Sequence, residues 1–257
     1  MIGHVIYGRG PRRVLVLHGW FGDHRVYWPM LGGFDEADYC FALMDQRGYG
    51  LSRDQGGPTD IDTIARDAAR LADELGWKRY AVMGHSMGGK AALRLALNCP
   101  DRVDAVVAIT PVWAGAAPFD SSAMALFRAA AEDPAAREAI IRHSTSSRLP
   151  DAWYARLVRN SGETATKEAF ASYFESWALD DFADECRSVR LPVLTIVGAR
   201  DQAITPQVVT ATWLHSLAAA RMEVIADAGH YPMQEAPLSL ARLVTDFFAH
   251  VQREAHG

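Results

Sequence analysis

Ser86, Asp201 and His230 have the types and the chain order needed for nucleophilic attack on a carbonyl. Ser86 is the centre of Gly84-His85-Ser86-Met87-Gly88, with the apolar run Tyr80-Ala81-Val82-Met83 before it and a helix-forming run, Lys90 to Leu97, after it. Strand, sharp turn and helix in that order lift a serine hydroxyl clear of a sheet on strained backbone angles, where it can attack a carbonyl carbon. The flanking glycines are small because strand and helix nearly touch at such a turn. The five-residue pattern recurs by chance, so its partners decide its meaning. A serine hydroxyl is a poor nucleophile near neutral pH; it needs a histidine to take its proton and a carboxylate to orient that histidine. Asp201 closes Gly198-Ala199-Arg200-Asp201 after the strand-like run Pro192 to Val197. His230 lies in Asp227-Ala228-Gly229-His230-Tyr231-Pro232 after the strand-like run Met222 to Ile225.

Together with Leu17-His18-Gly19-Trp20 and the turn Asp45-Gln46-Arg47-Gly48-Tyr49-Gly50-Leu51-Ser52, these motifs resemble those of lid-bearing α/β-hydrolases of the esterase and lactonase type, over nearly the whole chain. The order serine, aspartate, histidine is that of this family. The resemblance implies an α/β fold: a mostly parallel sheet with helices on both faces and an inserted helical lid. It also implies an oxyanion hole made of the backbone N–H groups of Met87 and Trp20. Met87 begins the nucleophile helix, whose positive dipole end favours an oxyanion. The family's alternative acid position, after Ile109, holds Thr110-Pro111-Val112 and offers no acid. Haloalkane dehalogenases and epoxide hydrolases carry a carboxylate at the elbow, so a hydroxyl at position 86 leaves acyl transfer. The expected activity is hydrolysis of a carboxylic ester or lactone of a small, largely apolar substrate through an acyl-enzyme on Ser86. C–C bond hydrolases, cofactor-free perhydrolases and lyases use similar residues, and selectivity among them lies in lid and pocket. A ligand receptor with vestigial turnover is a further reading, against which the complete triad argues.

Other residues compete for these roles. His85 adjoins Ser86, but side chains of adjacent residues at such a turn point apart, so His85 and His18 read as packing or supporting residues. His4, His24, His143, His215, His250 and His256 sit in polar or terminal contexts and read as solvated. Asp45 reads as a turn-stabilising acid that accepts backbone hydrogen bonds. Asp227, three residues before His230, is either a brace for the histidine turn or an ordinary exposed aspartate.

These groups must be positioned by alternating strands and helices. Strand-like runs are His4 to Tyr7, Val14 to Leu17, Cys40 to Met44, Arg79 to Met83, Val103 to Ile109, Val193 to Val197 and Met222 to Ile225. Several are almost continuously apolar, as strands covered on both faces should be. Ile61, Ile64, Ala65, Ala68, Leu71, Ala72 and Leu75 recur at helical spacing, with Thr59 as the expected N-cap and Gly76 as the stop. Ala236 to Gln252 reads as a closing helix. Between Pro111 and about Val189 the alternation breaks into helical patterns bounded by Pro118, Pro134 and Pro150. The expected organisation is a core of residues 1–111 and 190–257 with a lid, 112–189, inserted in it. Phe170, Tyr173, Phe174 and Trp177 share one helix face. That stripe either glues lid to body or touches substrate. Candidate substrate contacts are Trp113, Trp153, Tyr173, Phe174, Trp177 and Tyr231, with Tyr154 a weaker one.

A chain of 257 residues, 49% hydrophobic, can bury one large core. Its net charge of −5 and the lack of a basic stripe give no footprint for nucleic acid. No segment reaches the roughly 18 uninterrupted apolar residues of a membrane span, and residues 1–8 lack a leader pattern, so a cytoplasmic location is expected with no membrane partner. Cys40, Cys99 and Cys186 are odd in number and widely spaced, which suggests free, buried thiols rather than disulfides or a metal site. Gly48-Tyr49-Gly50 lacks the third glycine and the helix of a dinucleotide turn, so no cofactor is implied. The expected partner is a small-molecule ester or lactone, and no motif specifies an oligomeric state.

Overall fold

The computed structural model describes residues 1–254; His256 lies outside them. The strands are β1 (His4–Gly8), β2 (Arg12–Leu17), β3 (Tyr39–Met44), β4 (Tyr80–His85), β5 (Val103–Ile109), β6 (Val193–Gly198) and β7 (Ala220–Ile225). They form one sheet in the order β1-β3-β2-β4-β5-β6-β7. Every pairing is parallel except β1 with β3. All seven expected strands are present, most of them longer by one or two residues. β4, β5 and β6 are almost wholly buried, as parallel strands covered on both faces must be, and β5 and β6 are mostly valine, isoleucine, leucine and alanine.

The main helices are α1 (Ile61–Glu74), α2 (Met87–Asn98), α3 (Ser121–Ala129), α4 (Pro134–Ser144), α5 (Asp151–Thr164), α6 (Lys167–Leu179) and α7 (Pro237–Glu254). Right-handed crossovers put α1 and α2, which pack together, on one face of the sheet. The chain runs the other way from β2 to β3, so the short turn Trp28–Leu31 lies on the opposite face, packed with α7. The N-cap of α1 is Asp60, not Thr59: its carboxylate accepts from the Thr63 N–H at 2.6 Å. An ionised acceptor at that position also complements the helix dipole. Gly76, at φ +67°, ends the helix in the left-handed region that glycine enters freely.

Helices α3 to α6 lie between β5 and β6 in the chain, and no strand of the sheet falls among them. Asp120, Asp133 and Thr166 cap α3, α4 and α6. One of their links to the sheet layer runs through Lys90 of α2. Its buried ammonium donates to the carbonyls of Gly115 at 3.2 Å, Trp177 at 3.0 Å and Asp180 at 2.6 Å, tying both ends of the 112–189 segment to α2. Burial pulls the Lys90 pKa down to about 8, opposed by Asp180 and Asp181. Cys186 is buried, whereas Cys40 and Cys99 are only half-buried because each sits near an end of its element. No helix among the described residues is long and apolar enough to cross a membrane.

Candidate active site

The parallel register brings the C-terminal ends of the central strands to one edge. Leu17 pairs with Met44 and Gly84, His85 with Ile109, Ile109 with Ile196, and Gly198 with Ile225. Sites of open α/β sheets form at this edge. Ser86 follows β4 there with φ 52° and ψ −115°, a left-handed conformation that costs a non-glycine residue about 1–3 kcal/mol. The surroundings hold it so. Its N–H donates to the Ile109 carbonyl at 2.9 Å, and its carbonyl accepts from Val112 at 3.2 Å. A Cβ on Gly84 would stand 2.0 Å from the Gly88 oxygen, and one on Gly88 would stand 2.3 Å from the Leu17 oxygen, so strand and helix close only over glycines.

Asp201, past the end of β6, is wholly buried. Its Oδ1 accepts from the N–H groups of Ala203 and Ile204 at 2.8 and 3.0 Å, and its Oδ2 lies 2.6 Å from His230 Nδ1. A carboxylate can only accept, so Nδ1 carries a proton, and in the neutral ring Nε2 is the nitrogen with the lone pair. The His230 carbonyl accepts from Thr110 Oγ1 at 3.0 Å. Residues 109–112 therefore bond to Ser86 on one side and to His230 on the other. Thr110, where the alternative acid would stand, has φ +40°, an uncommon strain for a β-branched residue.

His85 is buried and donates Nε2–H to the same His230 carbonyl at 2.8 Å. Burial first, and then the nearby His230 ring, hold its pKa well below the ordinary histidine value. His85 is thus a neutral supporting group. His18 is also buried and neutral, its pKa lowered by burial. His18 Nε2 accepts from the Gln46 N–H at 3.2 Å, so the proton is on Nδ1, which donates to the Gly19 carbonyl at 2.8 Å. The N–H groups of Trp20 and Met87 donate to no acceptor among the described residues. Met87 is the first residue of a twelve-residue helix, where such donors are orphaned.

The aromatic candidates divide into three groups. Phe174 and Trp177, with Phe170 and Phe127, surround the Trp20 ring at centroid distances of 5.5, 5.7, 4.0 and 5.8 Å. Trp20 Nε1 donates to the Phe170 carbonyl at 2.8 Å, so its side chain is stitched to α6, and its carbonyl accepts from the Tyr49 hydroxyl at 2.9 Å. Trp153 packs on Tyr231 at 5.3 Å, Tyr231 lies 5.4 Å from the His230 ring, and Trp153 Nε1 donates to Gln234 at 3.0 Å. Two candidates face elsewhere: Tyr173 meets Tyr49 at 5.7 Å, and Trp113 meets Trp213 at 5.7 Å. Tyr154 is buried, with its hydroxyl 2.8 Å from Thr145 Oγ1. A cleft of about 260 Å³ runs beside Phe21 and Gly22, between that loop and Arg156, Leu157 and Asn160 of α5. A larger cleft, about 870 Å³, lies at the opposite end of the sheet against α7, away from Ser86.

His24 is buried rather than solvated. Its ring lies 2.8 Å from Asp45, and Asp45 also accepts from the N–H groups of His24 and Leu51 at 2.7 and 2.8 Å. Asp45 is a turn-stabilising acid in this geometry. Asp23, His24 and Asp45 bring ligand-type atoms within 4.8 Å of one another. Those atoms are committed to protein partners, Asp23 to Arg25 and Asp45 to the bonds just given.

Residues 12–237 match the model of the alpha/beta hydrolase fold family, and the chain belongs to that family. It is 30% identical over 244 residues to the pimeloyl-[acyl-carrier protein] methyl ester esterase of Nitrosomonas europaea, covering 90% of this chain and 92% of that one. It is 27% identical over 206 residues to the 3-oxoadipate enol-lactonase 2 of Acinetobacter baylyi, covering 79% and 77%. The bromoperoxidase of Bacillus anthracis superposes with a TM-score of 0.87 at 18% identity, covering 96% of this chain and 94% of that one, which is a likeness of fold.

Proposed function

We propose that this hydrolase cleaves a carboxylic ester or lactone through an acyl-enzyme on Ser86, with His230 as general base and Asp201 as its orienting acid. The observation that carries the reading is the 2.6 Å bond between Asp201 and His230 at the sheet edge where Ser86 is held in a strained turn. In the reaction, His230 Nε2 takes the Ser86 proton as Oγ bonds to the carbonyl carbon. The carbonyl oxygen becomes an oxyanion, received by the N–H groups of Trp20 and Met87. Collapse of this adduct breaks the bond to the alkoxide, which leaves with the proton from His230. Water then gives a proton to His230 and attacks the acyl group, and the acid departs as the proton returns to Ser86.

Residues 112–189 serve as a lid over the core formed by 1–111 and 190–257. Phe174 and Trp177, around Trp20, form the wall for the acyl portion, and Trp153 and Tyr231 flank the base. Such a wall selects by area and shape, which suits a small, largely apolar substrate. The names of the two relatives, an ester hydrolase and a lactone hydrolase, support this class.

Hydrolysis of p-nitrophenyl esters of graded acyl length tests the reading, with Ser86→Ala as control. Activity that disappears in a folded Ser86→Ala protein is the expected result. Equal activity in both would sink the assignment, and no activity in either would favour C–C bond hydrolysis, perhydrolysis or lyase chemistry on the same residues.

A further inference from the structure

The turn that carries His230 is held by a side chain that the mechanism above does not use. Glu235 ends the short helical turn Pro232–Glu235, and its carboxylate is only 1% exposed. Oε2 accepts from the Gly229 N–H at 2.8 Å and Oε1 from the Tyr231 N–H at 2.9 Å. One carboxylate thus accepts from the N–H groups of the two residues that flank His230. The His230 N–H itself donates to the Ser144 carbonyl at the end of α4, at 3.1 Å. Asp227 contributes no side-chain bond to this turn; its carbonyl accepts from Arg148 at 2.6 Å.

A buried carboxylate is costly unless its charge is matched. Arg148 matches it, through an ion pair to Glu235 Oε2. Arg148 belongs to the connection between α4 and α5, within the insertion. The same connection grips the acid turn, where Ser146 Oγ donates to the Arg200 carbonyl at 2.7 Å and accepts from Gln202 at 3.1 Å. Ser146 and its neighbour Ser147 stand at φ of 53° and 51°, a strained pair of left-handed residues. Gly229 packs so tightly under this connection that a Cβ there would stand 2.9 Å from the Thr145 Cα.

We propose that Glu235 is a positioning residue for His230 and that Arg148 sustains its carboxylate, so that the general base is correctly placed only while the connection between α4 and α5 is docked. This rests on His230 being the base of the proposed reaction. A glutamine at 235 could accept one N–H through its oxygen, but its NH₂ group would face the other, releasing one flank of the turn. A shift of about 1 Å in a catalytic group costs on the order of 100-fold in rate without loss of binding.

The test compares wild type with Glu235→Gln, Arg148→Met, Arg148→Lys and the double variant Glu235→Gln/Arg148→Met, each first shown to be folded by its thermal melt. Two quantities are read: the rate of covalent labelling of Ser86 by a fluorophosphonate, and kcat and KM for a p-nitrophenyl ester. Glu235→Gln and Arg148→Met should each label and turn over about 30-fold or more slowly, at nearly unchanged KM. Arg148→Lys should recover most of the loss, and the double variant should be no worse than Glu235→Gln, since both changes break one unit. Wild-type rates in folded Glu235→Gln would overturn the proposal while leaving the serine mechanism intact. Should Glu235→Gln fail to fold, equal rates for Arg148→Met and wild type would overturn it instead. A wild type that labels no faster than Ser86→Ala would remove the serine mechanism, and this proposal with it.

Discussion

His18 Nδ1 lies 2.8 Å from the carbonyl oxygen of Gly19, and that bond orients the peptide joining Gly19 to Trp20. In a trans peptide the C=O and N–H point in opposite directions, so a carbonyl held toward His18 turns the Trp20 N–H away from it. The Gln46 N–H keeps the imidazole in the required tautomer. His18→Leu removes this donor and leaves the Gly19 carbonyl only the longer bond from the Gly22 N–H, at 3.3 Å, so the peptide is held less firmly. Loss of one oxyanion donor costs about 100- to 1000-fold in kcat, so a decrease approaching 100-fold is expected, with KM little changed. Steady-state kinetics of the folded variant check this, and an unchanged kcat would contradict it.

His18 and His85 also give the protein an acid-labile stability. Both pKa values are lowered by burial, so between the folded value and about 6.5 only the unfolded chain binds these protons. Unfolding then takes up protons, and stability falls as pH drops below about 6.5 while being fully present above it. Each histidine contributes at most about 1.4 kcal/mol per pH unit in that window. Urea midpoints measured from pH 7.5 to 5.5 should fall, and His85→Gln should flatten the decline. A wild-type curve as flat as that of the variant would rule out the linkage.

Much of this architecture is legible in local pattern. Residues 103–109 and 193–197 read as strands because a strand covered on both faces is one apolar run, and both are strands in the fold. The Ser86 turn is legible because strand, glycines and helix are contiguous. Polar partnerships across long separations are not. His24 lies in Gly-Asp-His-Arg and reads as solvated, yet Asp45, 21 residues on, draws it inside. Glu235 and Arg148 are 87 positions apart, and each alone is an unremarkable surface-type charge. Lys90 carries a weak local signal, a single charge in Gly-Gly-Lys-Ala-Ala-Leu on a buried helix. Thr59 and Asp60 are both competent caps, and only the fold decides between them.

Lys90→Met should loosen helices α3 to α6 without touching the proposed triad. The substitution preserves length but leaves the carbonyls of Gly115, Trp177 and Asp180 without their shared donor. Hydrogen bonds to a charged donor are worth about 1.5–3 kcal/mol each, offset here by relief of the buried charge, so a net loss of about 2–3 kcal/mol is expected. Amide exchange should quicken across α3 to α6 more than in β4 and β5. Uniform quickening would mean that Lys90 supports the whole fold rather than the join.

Trp177 tests whether the aromatic wall sets substrate size. Its ring stands 5.7 Å from Trp20 and 5.2 Å from Phe174, and its Nε1 has no partner among the described residues. Trp177→Phe removes about a third of the ring atoms and the orphaned donor while keeping an aromatic face against Trp20. Space is thereby opened next to the proposed acyl wall at a cost to stability of about 1–3 kcal/mol. With p-nitrophenyl esters of increasing acyl length, the maximum in kcat/KM should move to a longer chain, because a hydrophobic pocket discriminates by about 1–3 kcal/mol per methylene that it accepts or refuses. Trp153→Phe, on the His230 side, should leave that maximum in place, since its ring packs on Tyr231 rather than on Trp20. A shift of equal size in both variants would place the acyl portion between the two groups and not against Trp20.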